Sequence, residues 1–302
     1  MQWKKLGRMF VPDNHHPWMR THAANSVAQH LGGDVFRVYF SCRNENNQSS
    51  IGYVDVDINS PFKILGIPEQ PVLVRGETGL FDDSGVSLSC ITTIKGKKFM
   101  YYLGWNLGVT VPWRNSIGLA IYNEETENFE KYGKAPLLDR CEADPYSISY
   151  PFVLEDGDLF RMWYGSNLSW GKEQKDMAHV IKYAESRDGI HWTREGRIAL
   201  EFKNDREYAV SRPWVIKESG VYKMWYSYRG DSYRIGYAES PDGLQWTRKD
   251  ELAGIDVSSE GWDSESVEYP FLFDHKGRRY MLYNGNAYGK TGFGLAVLEH
   301  NL

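Results

Sequence analysis

Two nearly identical sixteen-residue segments lie 54 positions apart in this 302-residue chain. Residues 181–196 read IKYAESRDGIHWTREG, and residues 235–250 read IGYAESPDGLQWTRKD. A repeat of this length indicates an architecture in which one supersecondary unit is used several times. It therefore constrains the fold more strongly than any other feature of the sequence.

A looser form of the same unit recurs five times along the chain. Each copy has an apolar entry strand, a second strand dense in aromatic residues, and a third strand with an Ile-Gly-Tyr-like pattern. The third strands begin with apolar residues that recur every 54 to 66 positions, namely Ile51, Ile117, Ile181, Ile235 and Phe293. The predicted second strands are residues 35–44, 98–106, 159–167, 221–230 and 279–286, and the predicted third strands are residues 50–57, 116–124, 180–189, 234–243 and 292–299.

These patterns predict an all-β fold. Alternating runs of Val, Ile, Tyr and Trp are broken by Gly, Asp and Asn, and helical periodicity is nearly absent. One small antiparallel sheet cannot cover both of its faces, whereas five sheets stacked around an axis cover one another. We predict a five-bladed β-propeller that forms a single domain over residues 1–302, with a pair of β-sandwiches as the alternative. Trp192 and Trp246 of the repeated segment are expected to pack between neighbouring sheets.

The composition argues against several classes of protein. A net charge of −5 and an isoelectric point near 5.9 do not suit nucleic-acid binding, which needs a basic face. No apolar run reaches the length of a membrane span, and none follows the N-terminal charges as in a secretory signal. The three cysteines, Cys42, Cys90 and Cys141, lack metal-binding spacing and are predicted to be buried free thiols of a cytoplasmic protein.

Polar residues collect at one edge of the predicted blades. The first and second strands of a blade run antiparallel, so the start of the first and the end of the second lie at the same edge. The first-strand starts carry His22, Asn25, Asp83, Asp144, Glu207, Arg212, Asp263, Glu265 and Glu268. The second-strand ends carry Arg43, Asn44, Trp105, Asn106, Asn167, Arg229, Asn284 and Asn286. The opposite ends are short solvated turns, and this asymmetry predicts a pocket for a polar ligand.

Several segments resemble the five-bladed glycosidase-like propellers, a superfamily that contains glycoside hydrolase families 43, 62, 32, 68, 117 and 130. They are GLFDDSGVSLS (79–89), YYLGWN (101–106), RMWYGSNLSW (161–170), IKYAESRDGIHW (181–192) and YNGNAYGKTGFGLA (283–296). The resemblance covers essentially the whole chain and is greatest to predicted glycosylases found near polysaccharide-synthesis genes. It implies an enzyme that cleaves a glycosidic bond in a carbohydrate or a sugar conjugate.

The resemblance also implies a set of site residues. Glycosidic cleavage needs one carboxyl group that protonates the leaving oxygen and a second, ionised one that activates water or attacks the sugar. Asp83, Glu207 and Glu265 are the expected catalytic carboxylates. The first blade departs from the family pattern, because residues 19–26 (MRTHAANS) contain no acid. The residues expected to bind substrate are His22, Arg43, Trp105, Asp144, Asn167, Arg212, Arg229, Glu268 and Asn286.

Two alternatives to hydrolysis stay open. A phosphorylase like those of family 130 would hold phosphate on Arg43, Arg212 or Arg229 beside a single acid. The acid-free first blade also fits a non-catalytic carbohydrate-binding propeller. No cofactor is predicted, although a channel cation such as calcium, which some family 43 relatives contain, could bind at His22. The expected partner is thus a carbohydrate, with neither nucleic acid nor membrane.

Overall fold

The computed structural model describes residues 1–59, 63–171, 173 and 176–299. Over these ranges the chain is nearly all-β, as predicted, and its strands pair into three sheets of four, eight and eight strands. Short helical segments occur at Asp250–Leu252, a turn of 3-10 helix, and at Asn286–Gly289, here called α1.

The sheet in the N-terminal half consists of two antiparallel four-stranded units. The first unit contains β2 (Thr21–Gly32), β3 (Val35–Arg43), β4 (Ser49–Asp57) and β5 (Ile64–Gly66). The second unit contains β6 (Gly85–Ile94), β7 (Lys97–Leu107), β8 (Trp113–Asn123) and β9 (Asn128–Lys131). A single parallel pair, Ser49 with Gly85, joins the two units.

The second eight-stranded sheet repeats this arrangement. The third unit contains β10 (Ile148–Asp156), β11 (Leu159–Ser169), β12 (Ala178–Ser186) and β13 (Thr193–Leu200). The fourth unit contains β14 (Ala209–Glu218), β15 (Val221–Arg229), β16 (Tyr233–Ser240) and β17 (Thr247–Arg248). Again one parallel pair, His179 with Ala209, joins the units.

The fifth unit combines both ends of the chain. It contains β18 (Glu268–His275), β19 (Arg278–Asn284), β20 (Phe293–Leu298) and β1 (Trp3–Phe10). β1 is antiparallel to β20, and their pairing runs from Trp3 opposite Leu298 to Phe10 opposite Phe293. The N-terminal strand therefore completes the last unit, which links the two ends of the chain non-covalently.

The repeated segment braces neighbouring units, as its sequence predicts. In each copy a serine and an aspartate cap the turn, and the following tryptophan donates a hydrogen bond to the turn glycine. The carbonyl of Gly189 also accepts from Tyr101 of the second unit, and that of Gly243 accepts from Trp163 of the third unit. Each copy thus fastens its own unit to the preceding one.

Buried ion clusters hold the strands of four units together. In each cluster a second-strand tyrosine donates a hydrogen bond to a buried or nearly buried aspartate, which pairs with a cation from the outer strand. The clusters are Tyr102–Asp82–Lys131, Tyr164–Asp144–Arg194, Tyr226–Asp250–Arg248 and Tyr283–Asp263–Lys5. The first unit has Phe40 opposite Gly52, where the second unit has Tyr102 opposite Gly118.

The strand registers confirm that first-strand starts and second-strand ends share an edge. The paired residues there are Thr21 with Arg43, Gly85 with Trp105, Ile148 with Ser166, Ala209 with Arg229, and Glu268 with Asn284. The predicted polar residues accordingly lie at one edge of the units.

The cysteines are free thiols, but they are not all buried. Cys42 and Cys90 are buried and Cys141 is exposed, so the prediction of three buried thiols is wrong for Cys141. Cys141 lies in an irregular segment before β10, where the chain folds over Asp144 instead of entering a sheet. Within the described ranges, no helix has the length and apolar character needed to cross a membrane.

Candidate active site

A cavity of about 340 Å³ lies at the edge that the polar residues share. All five units contribute to its wall, although the contributing residues are spread over most of the chain. Its volume falls at the lower end of the range for small-molecule sites. The wall consists of Arg43, Asn47, Ser87, Leu103, Trp105, Leu107, Trp113, Asn115, Ser149, Tyr150, Asn167, Met177, His179, Ser211, Tyr233, Tyr269 and Tyr288.

A smaller chamber of about 60 Å³ adjoins this cavity. The two spaces share five wall residues, Arg43, Ser87, Tyr150, Tyr269 and Tyr288. The chamber is otherwise lined by residues of the first unit, among them the predicted binding residue His22 together with Asn25. Among the described residues that line either space there is no Asp or Glu, so the formal charge of the wall comes from arginine.

A repeated bulge in the first strands places Tyr150 and Tyr269 in the cavity wall and Arg212 beneath that wall. The pairs Tyr150-Pro151, Arg212-Pro213 and Tyr269-Pro270 each interrupt the strand register, and the residue before each proline has a φ of 43°, 53° and 58°, respectively. L-residues adopt this left-handed conformation only at a cost, and a following proline normally favours an extended backbone. Such strain concentrates at functional sites, because only a constraining fold maintains it.

The same backbone strain occurs in three residues that line the cavity or the chamber. His22 has a φ of 60°, Asn25 of 58° and Tyr288 of 58°. Tyr288 belongs to α1, which is therefore a strained turn and not a regular helix. Six residues with left-handed backbone thus surround the two spaces.

Glu268 is a buried carboxyl group directly behind the cavity wall. It is 1% exposed, and its register opposite Asn284 corresponds to that of Ser149 opposite Gly165 and Ser211 opposite Ser227. Neither oxygen has a hydrogen-bond partner among the described side chains. Burial raises the pKa of Glu268 to about 8, and the backbone amide of Tyr288 and the charge of Arg229 offset burial only in part. Glu268 is consequently protonated at neutral pH.

Aromatic residues separate Glu268 from the cavity. The ring of Tyr269 lies 5.9 Å from that of Tyr150 and 5.8 Å from that of Tyr233, and Tyr233 lies 5.9 Å from Tyr288. Burial, followed by the charge of Glu268, raises the pKa of Tyr233 and of Tyr269. These tyrosines therefore keep their hydroxyl protons and can donate hydrogen bonds into the cavity.

Arg212 is a completely buried guanidinium without a carboxylate partner. It is 0% exposed, its Nε donates to the Asn25 side chain at 3.3 Å, and its Nη1 has no partner in the described part of the chain. Burial lowers the pKa of Arg212 to about 10, while Tyr150 and Tyr269 favour its charged form. Arg212 therefore stays positive at neutral pH under the tyrosine wall.

Arg229 is held by aromatic rings. Its guanidinium lies 5.2 Å from the Tyr233 ring and 5.6 Å from each of the Tyr208 and Tyr288 rings, and it donates to the Tyr288 hydroxyl. Such cation–π contacts position the charge without neutralising it. Its positive charge acts on Glu268 and contributes to the lowered pKa of His179.

Arg43 connects the cavity and the chamber. Its Nη1 donates to Asn47 at 2.7 Å. Burial, then the charges of Arg43 and Lys290, lowers the pKa of His22 to about 4. His22 is therefore neutral at neutral pH, and the chamber has a positive potential that favours an anion over a cation. No group of three or more His, Cys, Asp and Glu suited to a metal occurs within the described ranges.

The three predicted catalytic carboxylates lie outside the wall. Asp83 accepts hydrogen bonds from Gly79, Ser84 and Asn106; burial opposes its ionisation, but these bonds lower its pKa. Glu207 forms a two-pronged ion pair with Arg248 at 2.6 and 3.0 Å. The Glu265 side chain is exposed. The predicted edge is thus present, but this structure gives two of the three acids local partners.

The remaining predicted residues divide into two groups. Asp144 is fully buried in its ion cluster, and Asn286 caps a turn by accepting from the amides of Glu265 and Ser266. The other group lies at the cavity or its adjoining chamber, or directly behind the wall. It contains His22, Arg43, Trp105, Asn167, Arg212, Arg229 and Glu268.

Sequence reasoning missed the tyrosine wall. Tyr150 and Tyr269 follow Ser149 and Glu268 and precede proline, just as Arg212 lies between Ser211 and Pro213. The three segments SYP, SRP and EYP are therefore a recognisable repeat at equivalent first-strand positions. Aligned with one another, they would have marked Tyr150 and Tyr269 of the cavity wall and Arg212 beneath it.

Comparison with known sequences places the chain in a family. No family model matches it. It is 50% identical over 300 residues to "Uncharacterized protein Rv1502" of Mycobacterium tuberculosis strain ATCC 25618 / H37Rv, across 99% of this chain and 100% of that protein. The chain belongs to the family of that mycobacterial protein. "Uncharacterized protein MT1551" of strain CDC 1551 / Oshkosh matches with the same identity and coverage.

Comparison with solved structures shows the fold. A glycosyl hydrolase from Bacteroides ovatus superposes with a TM-score of 0.74 at 15% identity, over 99% of this chain and 93% of that one. A thermostable family-43 glycoside hydrolase gives 0.66 at 16% identity, over 93% and 91%. The Bombyx mori GH32 β-fructofuranosidase BmSUC1 gives 0.63 at 15% identity, over 95% and 63%. The chain thus shares the β-fold of these three proteins.

Proposed function

We propose that the five four-stranded units are the blades of one five-bladed β-propeller over residues 1–302, with the cavity at one end of its axis. The pairing of β1 with β20 supports closure of the ring, as does the contribution of all five units to one wall. Closure of this kind protects sheet edges that would otherwise stay unpaired.

The function best supported by this arrangement is cleavage of a glycosidic bond in a carbohydrate or sugar conjugate, with Glu268 as the proton source. The observation that carries it is the state of Glu268, a fully buried carboxyl group that has no side-chain partner and keeps its proton at neutral pH. An unpaired buried acid is costly for the fold and is the form that a general acid requires.

The proton must pass through the aromatic wall. Glu268 does not line the cavity, but Tyr233 and Tyr269 do, and both interact with its charge. In our proposal one of these hydroxyls gives its proton to the leaving oxygen as the carbon–oxygen bond breaks, and Glu268 replaces that proton. Water adds to the anomeric carbon, and the proton that it releases returns to Glu268. Tyr233 and Tyr269 are then the groups that touch substrate.

Phosphorolysis is a second candidate, favoured by the charge of the wall. Hydrolysis by the common mechanism needs a second carboxylate beside the sugar, whereas the described wall contains arginine and no Asp or Glu. Phosphate held in the chamber beside Arg43 would attack the anomeric carbon through one oxygen. The leaving oxygen would take the proton, which gives a sugar 1-phosphate and an alcohol.

Turnover of a panel of aryl glycosides and short oligosaccharides, measured with and without inorganic phosphate, tests both ideas. We expect Glu268→Gln to lower kcat at least about 100-fold, the lower end of the usual contribution of a general acid. Wild-type activity should fall as pH rises through about 8, because Glu268 then loses its proton. Dependence on phosphate supports phosphorolysis.

Glu265→Gln is the matched variant, since it makes the same change three residues away on an exposed side chain. If Glu265 is the acid, as the sequence predicts, this variant loses turnover and Glu268→Gln keeps it. Binding of saccharides without turnover in the wild-type protein would instead make the chain a carbohydrate-binding propeller.

A further inference from the structure

One side of the cavity carries two polar side chains with unused hydrogen-bonding capacity. Asn167 on β11 and His179 on β12 lie directly opposite each other in an antiparallel pair, so their side chains share a face. Both line the cavity, and they are 3% and 8% exposed. The Asn167 amide nitrogen and the His179 Nδ1 are buried and have no partner among the described residues.

The charge state of His179 indicates which kind of ligand group could bind to these two side chains. Burial, then the charge of Arg229, lowers the pKa of His179 to about 4, so its ring is neutral near pH 7. A neutral imidazole has one donor and one acceptor nitrogen, and an amide nitrogen is a donor. A hydroxyl group can both donate and accept and therefore matches this set, whereas an anion could use only donors.

We propose that Asn167 and His179 bind two neighbouring hydroxyl groups of a neutral sugar ring, and thereby determine which sugar the cavity accepts. This inference rests on the carbohydrate function proposed above. It divides the site in two, with neutral hydroxyl groups recognised at β11 and β12 and the positive potential of Arg43 acting at the first unit. Buried groups left unpaired by a wrong sugar make such a site selective.

The test measures binding, so that it is independent of catalysis. Methyl glycosides of the common hexoses and pentoses are screened by calorimetry against full-length Glu268→Gln protein, and the tightest binder is compared with each of its monodeoxy analogues. We expect Asn167→Ala and His179→Ala each to weaken binding of the parent glycoside about tenfold, the value of one good neutral hydrogen bond. For each variant, one deoxy analogue lacks the hydroxyl that the removed side chain would bind. The variant should bind that analogue as tightly as the protein with the unsubstituted side chain does.

Asn115→Ala is the matched control, because Asn115 lines the same cavity but has no buried unpaired side-chain atom. It should not couple to either of those two hydroxyls. Asn167→Asp and His179→Gln, which keep most of the side-chain volume, repeat the measurement if an alanine variant unfolds. The inference is overturned if the losses for parent and analogues are equal, or if Asn115→Ala couples to the same hydroxyls, even when the wild-type enzyme turns over a glycoside. Absence of both binding and turnover across the panel would overturn the proposed function as well.

Discussion

Asp144 and Glu268 are both fully buried carboxyl groups near first-strand starts, yet their surroundings are opposite. Asp144 contacts Lys182, Arg194, Tyr164 and Ser166, which satisfy both of its oxygens. Glu268 has no side-chain partner and is held behind tyrosines. The contacts of Asp144 stabilise the fold, whereas the burial of Glu268 without a side-chain partner destabilises it. Buried acids without a side-chain partner cluster at functional sites.

The largest expected effect comes from removing the paired acid. Asp144→Ala leaves two cations, the buried Lys182 and the partly buried Arg194, without their common partner, and breaking a buried ion pair from one side costs about 3–5 kcal/mol. Urea denaturation should show a loss of this size in the free energy of unfolding. Asp158→Ala, the same change on an exposed turn, is the control.

A loss below about 1 kcal/mol in Asp144→Ala would break the comparison. It would mean that the four Tyr–Asp–cation clusters contribute little to stability, and that burial alone does not separate scaffold acids from site acids. The corresponding change at Asp263, where Lys5 of the N-terminal strand is the cation, would then test whether only the ends of the chain depend on such a cluster.

Removing the carboxyl group of Glu268, which has no side-chain partner, should have the opposite effect and stabilise the protein. The size of this gain should depend on pH. The folded pKa of Glu268, about 8, lies above its ordinary 4.5. The folded protein therefore keeps a proton that the unfolded chain releases, and stability falls as pH rises from about 4.5 to about 8, then levels off. By linkage the penalty is about 3 kcal/mol at pH 7. Glu268→Gln removes it.

Urea unfolding at pH 5 and at pH 7 measures this penalty. The Gln variant should exceed the wild type by less than about 1 kcal/mol at pH 5 and by about 3 kcal/mol at pH 7. An equal difference at both pH values would show that Glu268 is already ionised, and that its burial is compensated by a contact the structure does not contain. Glu268 could then not be the proton source, and another group would have to supply the proton.

The strands could be predicted well because each depends on local sequence signals. The Asp-Gly turns, the aromatic second strands and the spacing of Ile51, Ile117, Ile181 and Ile235 each report on a few neighbouring residues. The strands observed there differ from the predicted ones by only a few residues. The common edge of the units follows directly from antiparallel pairing, and it too was predicted.

The roles of individual acids depend on contacts that the sequence does not reveal. Glu207 lies at the predicted edge, but Arg248, 41 residues further on, pairs with it. Glu268 and Glu265 stand three residues apart in one polar segment, yet one is 1% exposed and the other is exposed to solvent. Glu268 begins β18 and pairs with Asn284, whereas Glu265 lies in the segment before that strand.

The smallest expected effect comes from an exposed ion pair, which tests whether pairing stabilises the fold without burial. Lys134 and Glu77 form an ion pair at 3.3 Å, as Asp144 does with its cations, but the side chains of Lys134 and Glu77 are 75% and 77% exposed. Water screens such a pair, so Lys134→Ala should change the free energy of unfolding by no more than about 0.5 kcal/mol in the same urea assay. Added salt should reduce this difference further, because dissolved ions screen exposed charges. A loss comparable to that of Asp144→Ala would show that pairing stabilises this fold wherever it occurs, and the missing partner of Glu268, not its burial, would then be the feature that distinguishes the site.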